Sequence, residues 1–129
     1  MSDLIGTMAS SASGMTAQSA RLRIVSENIA NADTPGYRRK LVPFEQLALP
    51  HGADGVRAGR VRLDQTEVER IQDPTHPLAG PDGMYEGSNV KLMIELADAR
   101  EAQRSYQANL RMFDQAKKMT SAVLDLLRR

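Results

Sequence analysis

The chain contains no cysteine and no tryptophan. A disulfide framework and a thiolate metal site are thereby excluded. Aromatic residues are scarce, with three tyrosines and two phenylalanines in 129 residues, so the apolar content is mostly aliphatic and suits helix packing more than a thick mixed core. An excess of charge is also missing. Seventeen Lys and Arg against sixteen Asp and Glu leave a net charge of +1, which argues against a general polyanion binder, since such modules show a basic stripe. The internal basic run Arg38-Arg39-Lys40 reads as a solvated loop. No apolar run is long enough to span a bilayer. The N-terminus lacks the basic-then-apolar pattern of a cleaved secretory signal, so any export is expected to read something else.

The length fits one domain, and three segments of different character follow one another: 1–33, 34–88 and 89–129. In the first, Met1, Met8, Met15, Leu22 and Ile29 recur every seven residues, with Ile5, Ala12 and Val25 close by. This is the spacing of a coiled-coil seam or helix-pair interface, and an ordinary amphipathic core helix has the same signature. Ser2 is the expected N-cap. Gly6 and Gly14 weaken the helix by about 1 kcal/mol each relative to alanine, so it is expected to depend on a partner. Thr34-Pro35-Gly36-Tyr37 then predicts a type II turn, with proline presetting the first central position and glycine accepting positive φ at the second.

The middle segment holds all six prolines and most of the glycines. Between Gly55 and Ile71, brief alternation through Val61, Leu63, Thr66, Val68 and, after a shift of face, Ile71 predicts a short β-hairpin. Asp73-Pro74-Thr75-His76-Pro77 and Gly80-Pro81-Asp82-Gly83 predict turns. The third segment has no Pro or Gly. Leu92, Leu96, Ala99, Tyr106, Leu110, Phe113, Leu124 and Leu127 mark a helix on the order of 60 Å long, with Ser88 or Asn89 as its expected cap. A helix that long in so small a chain cannot cover both its sides with its own residues. The fold expected is mainly α: long N- and C-terminal helices paired as a coiled coil around an irregular middle. Met8, Met15, Leu22 and Ile29 on the first helix, and the eight residues just named on the last, are the expected packing and assembly positions.

Catalytic chemistry has no visible constellation. His51 and His76 are the only histidines, both in loop sequence, and read as solvated or turn-bonding. Glu95, Asp98 and Glu101 are expected on a solvated face or in salt bridges between subunits. No phosphate-binding glycine loop is present, and Asp82-Gly83 lacks the other ligands of a calcium loop. No cofactor, metal, nucleic acid or small-molecule substrate is expected.

One stretch is more specific. Ser26-Glu27-Asn28-Ile29-Ala30-Asn31-Ala32-Asp33-Thr34-Pro35-Gly36-Tyr37 resembles the signature S-x-N-[IL]-A-N-x-x-T-x-G-[YF] of bacterial flagellar rod and hook proteins. Ser26, Asn28, Ile29, Ala30, Asn31, Thr34, Gly36 and Tyr37 meet it, with Pro35 between; Ala17–Arg23 upstream fits too. Within that family the chain is most similar to the short proximal rod proteins, through Asp73-Pro74-Thr75-His76-Pro77 with Asp82-Gly83, and through Asn89-Val90 followed by Ala102-Gln103-Arg104-Ser105-Tyr106-Gln107-Ala108-Asn109. It departs from them at Gln72, where an aromatic is expected, and in the extra Met84–Ser88; residues 42–71 carry no usable likeness. The resemblance implies a non-enzymatic subunit of the axial drive shaft, exported unfolded by the flagellar type III apparatus to a periplasmic rod that encloses the export channel. Its implied neighbours are the rod proteins FlgB, FlgF and FlgG, the adaptor FliE, further copies of itself, and the MS ring. The competing reading is a soluble coiled-coil adaptor or export chaperone.

Overall fold

The computed structural model describes residues 1–129. Two long helices dominate: α1, Ser2–Ala30, and α2, Leu92–Leu127. They run antiparallel against one another, since Gly14 meets Asn109, Arg21 reaches Asp98 and Glu101, and Asn28 reaches Glu95. Position rises on one helix as it falls on the other. The fold is mainly α, with a β-containing middle, as the composition implies.

Small residues set how closely the helices approach. A Cβ added at Gly14 would lie 2.7 Å from Asn109 Nδ2, so a side chain there would have to displace the Asn109 amide. The most buried positions of α1 include Gly14, Ala17, Ile24, Val25 and Asn28, and those of α2 are Glu95, Ala102 and Ala116. Along α2 the sheltered residues Glu95, Ala99, Ala102, Tyr106, Asn109, Phe113, Ala116 and Thr120 follow an alternating 4-3 spacing. Met8, Met15, Leu22 and Ile29 lie half-buried, one helical position on from the Gly14–Arg21–Asn28 line, and Ala99, Tyr106 and Phe113 lie half-buried on the α2 line. Leu92, Leu96, Leu110, Leu124 and Leu127 are exposed. Close approach requires small side chains at the contact line, which displaces the bulky ones to its flanks or beyond.

Neither expected cap forms. Met1 occupies the N-cap of α1 without a side-chain bond, and Ser2 is already helical. Lys91 occupies the N-cap of α2. Ser88 and Asn89 are committed elsewhere: Ser88 Oγ donates to the Ala32 carbonyl, and Asn89 accepts from Arg39 N at 2.6 Å while donating to the Asp64 and Thr66 carbonyls.

The middle forms three separate antiparallel ladders rather than one hairpin within 55–71. Strand β1 (Lys40–Leu41) pairs with β4 (Arg62–Leu63), β2 (Phe44–Ala48) with β3 (Asp54–Ala58), and β5 (Arg70–Gln72) with β6 (Met84–Glu86). Thr66 and Val68 belong to no strand. The reason is local: the Asp64 carboxylate accepts from Thr66 N at 2.9 Å and from Thr66 Oγ1, closing an Asx turn that ends β4. The true hairpin, β2–β3, turns through a 3-10 turn at Pro50–Gly52, where His51 and Gly52 take φ of 64° and 72°. It packs on its own α1: Ser10 Oγ donates to the Asp54 carbonyl at 2.5 Å, and Val56 N donates to Ser13 Oγ at 3.1 Å. The small polar side chains of α1 thus bind strand backbone. The extra Met84–Ser88 stretch supplies β6, and Gln72 pairs there with Met84.

Candidate functional site

The Ser26–Tyr37 motif forms the exit of α1 and the turn that follows. Asn31 Nδ2 donates to the Glu27 carbonyl at 2.9 Å, and Thr34 Oγ1 donates to Asn31 Oδ1 at 3.1 Å, satisfying groups freed where the helix ends. Tyr37 N donates to the Thr34 carbonyl at 3.1 Å, and Gly36 has φ of 73°, the bond and the conformation of the expected type II turn. Gly36 N donates to the carbonyls of Glu86 and Gly87, tying the turn to the β6 end. Ser26 and Ala30 face solvent.

Asn28 is the hub. Only 1% of it is exposed, and its amide is fully used. Its Oδ1 accepts from Tyr37 Oη at 2.8 Å and from Lys40 N at 2.9 Å. Its Nδ2 donates to the Lys40 carbonyl at 2.9 Å and to Glu95 Oε2 at 3.3 Å. One side chain therefore joins α1, the turn, β1 and α2. Asparagine fits because it offers both donors and acceptors without a charge.

Glu95 is 0% exposed, and a buried carboxylate needs pairing. Arg39 Nε supplies it. The same guanidinium reaches Asp98 Oδ2 at 2.8 Å and Asp64 Oδ2 at 3.6 Å. Arg21 sits 3.5 Å from both Asp98 and Glu101. The acids expected on a solvated face or between subunits are thus paired within the chain, and Arg39 of the expected solvated run is their main partner. The spacing of the acids placed them on one helix face; only the fold brings two arginines to that face.

The fields follow from this packing. Burial works against the Arg39 charge, but the Glu95 hydrogen bond and the Glu95, Asp98 and Asp64 charges outweigh it and hold its pKa raised. Burial, and then Glu27, push the Tyr37 phenol upward. The hydrogen bond to Glu27 raises Lys40. The side-chain and backbone hydrogen bonds from Thr66 lower Asp64.

A cleft of about 410 Å3 opens beside the junction, with Ile24, Val25, Leu41, Val42, Pro43 and Phe44 along its apolar wall. No nucleophile–base pair lines it. His76 is a turn residue: its Nδ1 accepts from Leu78 N at 3.1 Å, and its ring stacks on Tyr85 at 3.8 Å. His51 is exposed in the β2–β3 loop. No group of three His, Asp or Glu side chains is placed to hold a metal ion, and no helix is long and apolar enough to cross a membrane. The arrangement joins elements and offers no reacting centre.

Comparison with known proteins agrees with this. Residues 8–38 match the family model described as flagella basal body rod protein, and residues 82–126 match the one described as flagellar basal body rod FlgEFG protein C-terminal. The chain is 44% identical over 124 residues to the flagellar basal-body rod protein FlgC of Agrobacterium fabrum, covering 90% of this chain and 89% of that one. It is 36% identical over 121 residues to the FlgC protein of Escherichia coli O6:H1, covering 88% and 90%. It is 29% identical over 139 residues to the FlgC protein of Bacillus subtilis, covering 90% and 93%. The chain belongs to the FlgC family of flagellar basal-body rod proteins, whose members are structural subunits and not enzymes.

Proposed function

We propose that the chain builds the proximal rod of the bacterial flagellum, part of the axial shaft that transmits torque and surrounds the export channel. In this reading α1 and α2 pair as an antiparallel α-helical coiled coil. Residues 1–33 and 89–129 form the core of the subunit and 34–88 an outer segment. The likeness to FlgC proteins over about nine tenths of the chain carries the reading. The surface of α2 supports it: Leu92, Met93, Leu96, Leu110, Met112 and Met119 are exposed along one helix, more apolar surface than a free subunit needs. These residues, with the flanking Met8, Met15, Leu22 and Ile29, would meet neighbouring subunits. The candidate neighbours are other copies of this chain, FlgB, FlgF, FlgG and FliE, with the MS ring at the base. Helical repetition needs contacts between unlike surfaces rather than a closed two-fold interface, and two helices with differently exposed flanks supply them.

Export as an unfolded chain to a periplasmic rod fits a thin core. Only 14 of 129 residues are buried, and Ile24 and Val25 are the sole large apolar ones among them; each is worth about 1.5–3 kcal/mol. So small a core leaves the ordered state dependent on contacts made during assembly. The motif residues Ser26–Tyr37 are proposed to hold the exit of α1 for docking. Deleting residues 1–32 is expected to abolish motility by stopping rod assembly. Motile cells with complete rods after that deletion would sink the reading.

A further inference from the structure

Viewed down its axis, α2 has four sides. One is the contact line with α1, running from Glu95 to Thr120. At about 3.6 residues per turn, Leu92, Leu96 and Leu110 fall roughly a quarter-turn to one side of that line. Ile94, Met112 and Met119 fall roughly a quarter-turn to the other, and all six are exposed. The fourth side points away from α1 and carries Arg100, Arg104, Arg111 and Lys118, all exposed. Arg104, Arg111 and Lys118 recur at the heptad interval, about 10 Å apart, and the row from Arg100 to Lys118 is about 27 Å long.

The row is unpaired. None of its four cations belongs to any ion pair of the chain, whereas Arg21, Arg39, Arg57 and Arg70 all find carboxylates. Asp114 has the helical spacing to reach Arg111 or Lys118, yet it bonds to neither. Glu101, the other acid beside the row, turns to Arg21. With seventeen basic and sixteen acidic residues in the chain, the row is a segregation of charge and not a general excess.

Its shape selects among anionic partners. A flat anionic membrane does not match, because the two apolar sides point away from one another and cannot enter it together with the cations. A nucleic-acid duplex carries one phosphate per about 1.7 Å of axis, far denser than one cation per roughly 9 Å. An extended polypeptide rises about 3.3 Å per residue. An acid at every third position therefore repeats at about 10 Å, the interval of the row.

We propose that the Arg100–Arg104–Arg111–Lys118 row is a docking surface for an acidic polypeptide segment in extended conformation. The two apolar sides remain for the subunit contacts proposed above, and the row adds a separate, electrostatic face to α2. It is present in the isolated subunit, so its test needs no assembled rod.

The probe is a fluorescent peptide of about five Glu-Ser-Ser repeats, long enough to span the row. Its anisotropy is followed on titration with the purified full-length chain. Binding is expected at about 20 mM salt and is expected to weaken at about 150 mM, where surface charges are screened. Arg104→Gln with Arg111→Gln and Lys118→Gln is expected to weaken it about tenfold, since each exposed ion pair is worth roughly two- to three-fold. Glutamine is a good helix former, so α2 is kept. The control Arg23→Gln with Arg60→Gln and Arg62→Gln removes the same charge from exposed, unpaired sites elsewhere. It is expected to stay within about twofold of the parent, because distant exposed charges are screened. Absence of peptide binding by the parent would overturn the proposal. So would an equal loss in both triple variants, because binding would then follow net charge and not the row. Tighter binding to phosphatidylglycerol vesicles or to duplex DNA than to the peptide would overturn it as well.

Discussion

At the scale of single residues, Asn28 and its phenol partner carry most of the junction. Tyr37 donates to Asn28 only while protonated. Its folded pKa is raised by burial and by Glu27, so the sign is that of a group whose protonated form the fold prefers. The contribution is fully present below the unfolded tyrosine value, about 10, and is lost as pH rises through the folded one. Tyr37→Phe is expected to lower stability by about 1 kcal/mol at pH 8, the usual worth of one hydrogen bond. The gap to the parent should begin to narrow above about pH 10, where the unfolded phenol ionises, and close as pH rises through the higher folded value. Urea unfolding of both proteins between about pH 8 and 11 measures this; a gap that stays constant means the bond contributes nothing. Lys40 is also held raised, by Glu27, but it is present in both proteins and leaves the comparison intact.

At the scale of elements, the helices were legible and their contact line was not. The absence of Pro and Gly over 89–129, and the stop before Pro35, show in the residues themselves because backbone geometry reads them directly. The heptad of Met8, Met15, Leu22 and Ile29 is real as a pattern, yet the deepest line of α1 lies one position away, through Gly14 and Asn28. Hydrophobicity marks surfaces that avoid water, whereas closeness of approach depends on small side chains. Ala102, 0% exposed, illustrates the difference. Ala102→Leu, inserting three carbons at this close contact, is expected to cost about 1–3 kcal/mol. Leu110→Ala, at an exposed site, is expected to stay within about 0.5 kcal/mol. Chemical denaturation of the two variants decides; equal losses would mean that the observed contact line is not the one that stabilises the pair. The strands were less legible still. Their ladders run from two to five residues, too short for alternation to declare, and their partners lie up to 23 positions apart, Lys40 with Leu63.

At the scale of the whole molecule, few residues are buried and α2 carries a long exposed apolar side, the surface proposed above to meet neighbouring subunits. Met93 is 80% exposed and Leu96 is 50% exposed on the outer side of α2. Met93→Glu with Leu96→Glu is expected to move the thermal midpoint of the isolated chain by no more than about 4 °C, the shift of roughly 1 kcal/mol in a domain this size. The same pair is expected to reduce incorporation into isolated basal bodies severely, since each charge would be buried against a neighbour. Normal incorporation would remove this face of α2 from the assembly surface.

The residues alone determined that both ends of the chain are helical, the turn at Pro35-Gly36 and, through the Ser26–Tyr37 motif, the family. These depend on covalent preference and local spacing. Tertiary structure decided that Arg21 and Arg39 neutralise the acids of α2, that Asn28 joins four elements, and that the β2–β3 hairpin rests on its own α1. Those facts depend on side chains separated by up to 77 positions, as Arg21 is from Asp98. Charge pairing and burial are properties of distance in space, and only the antiparallel packing of the two helices supplies it.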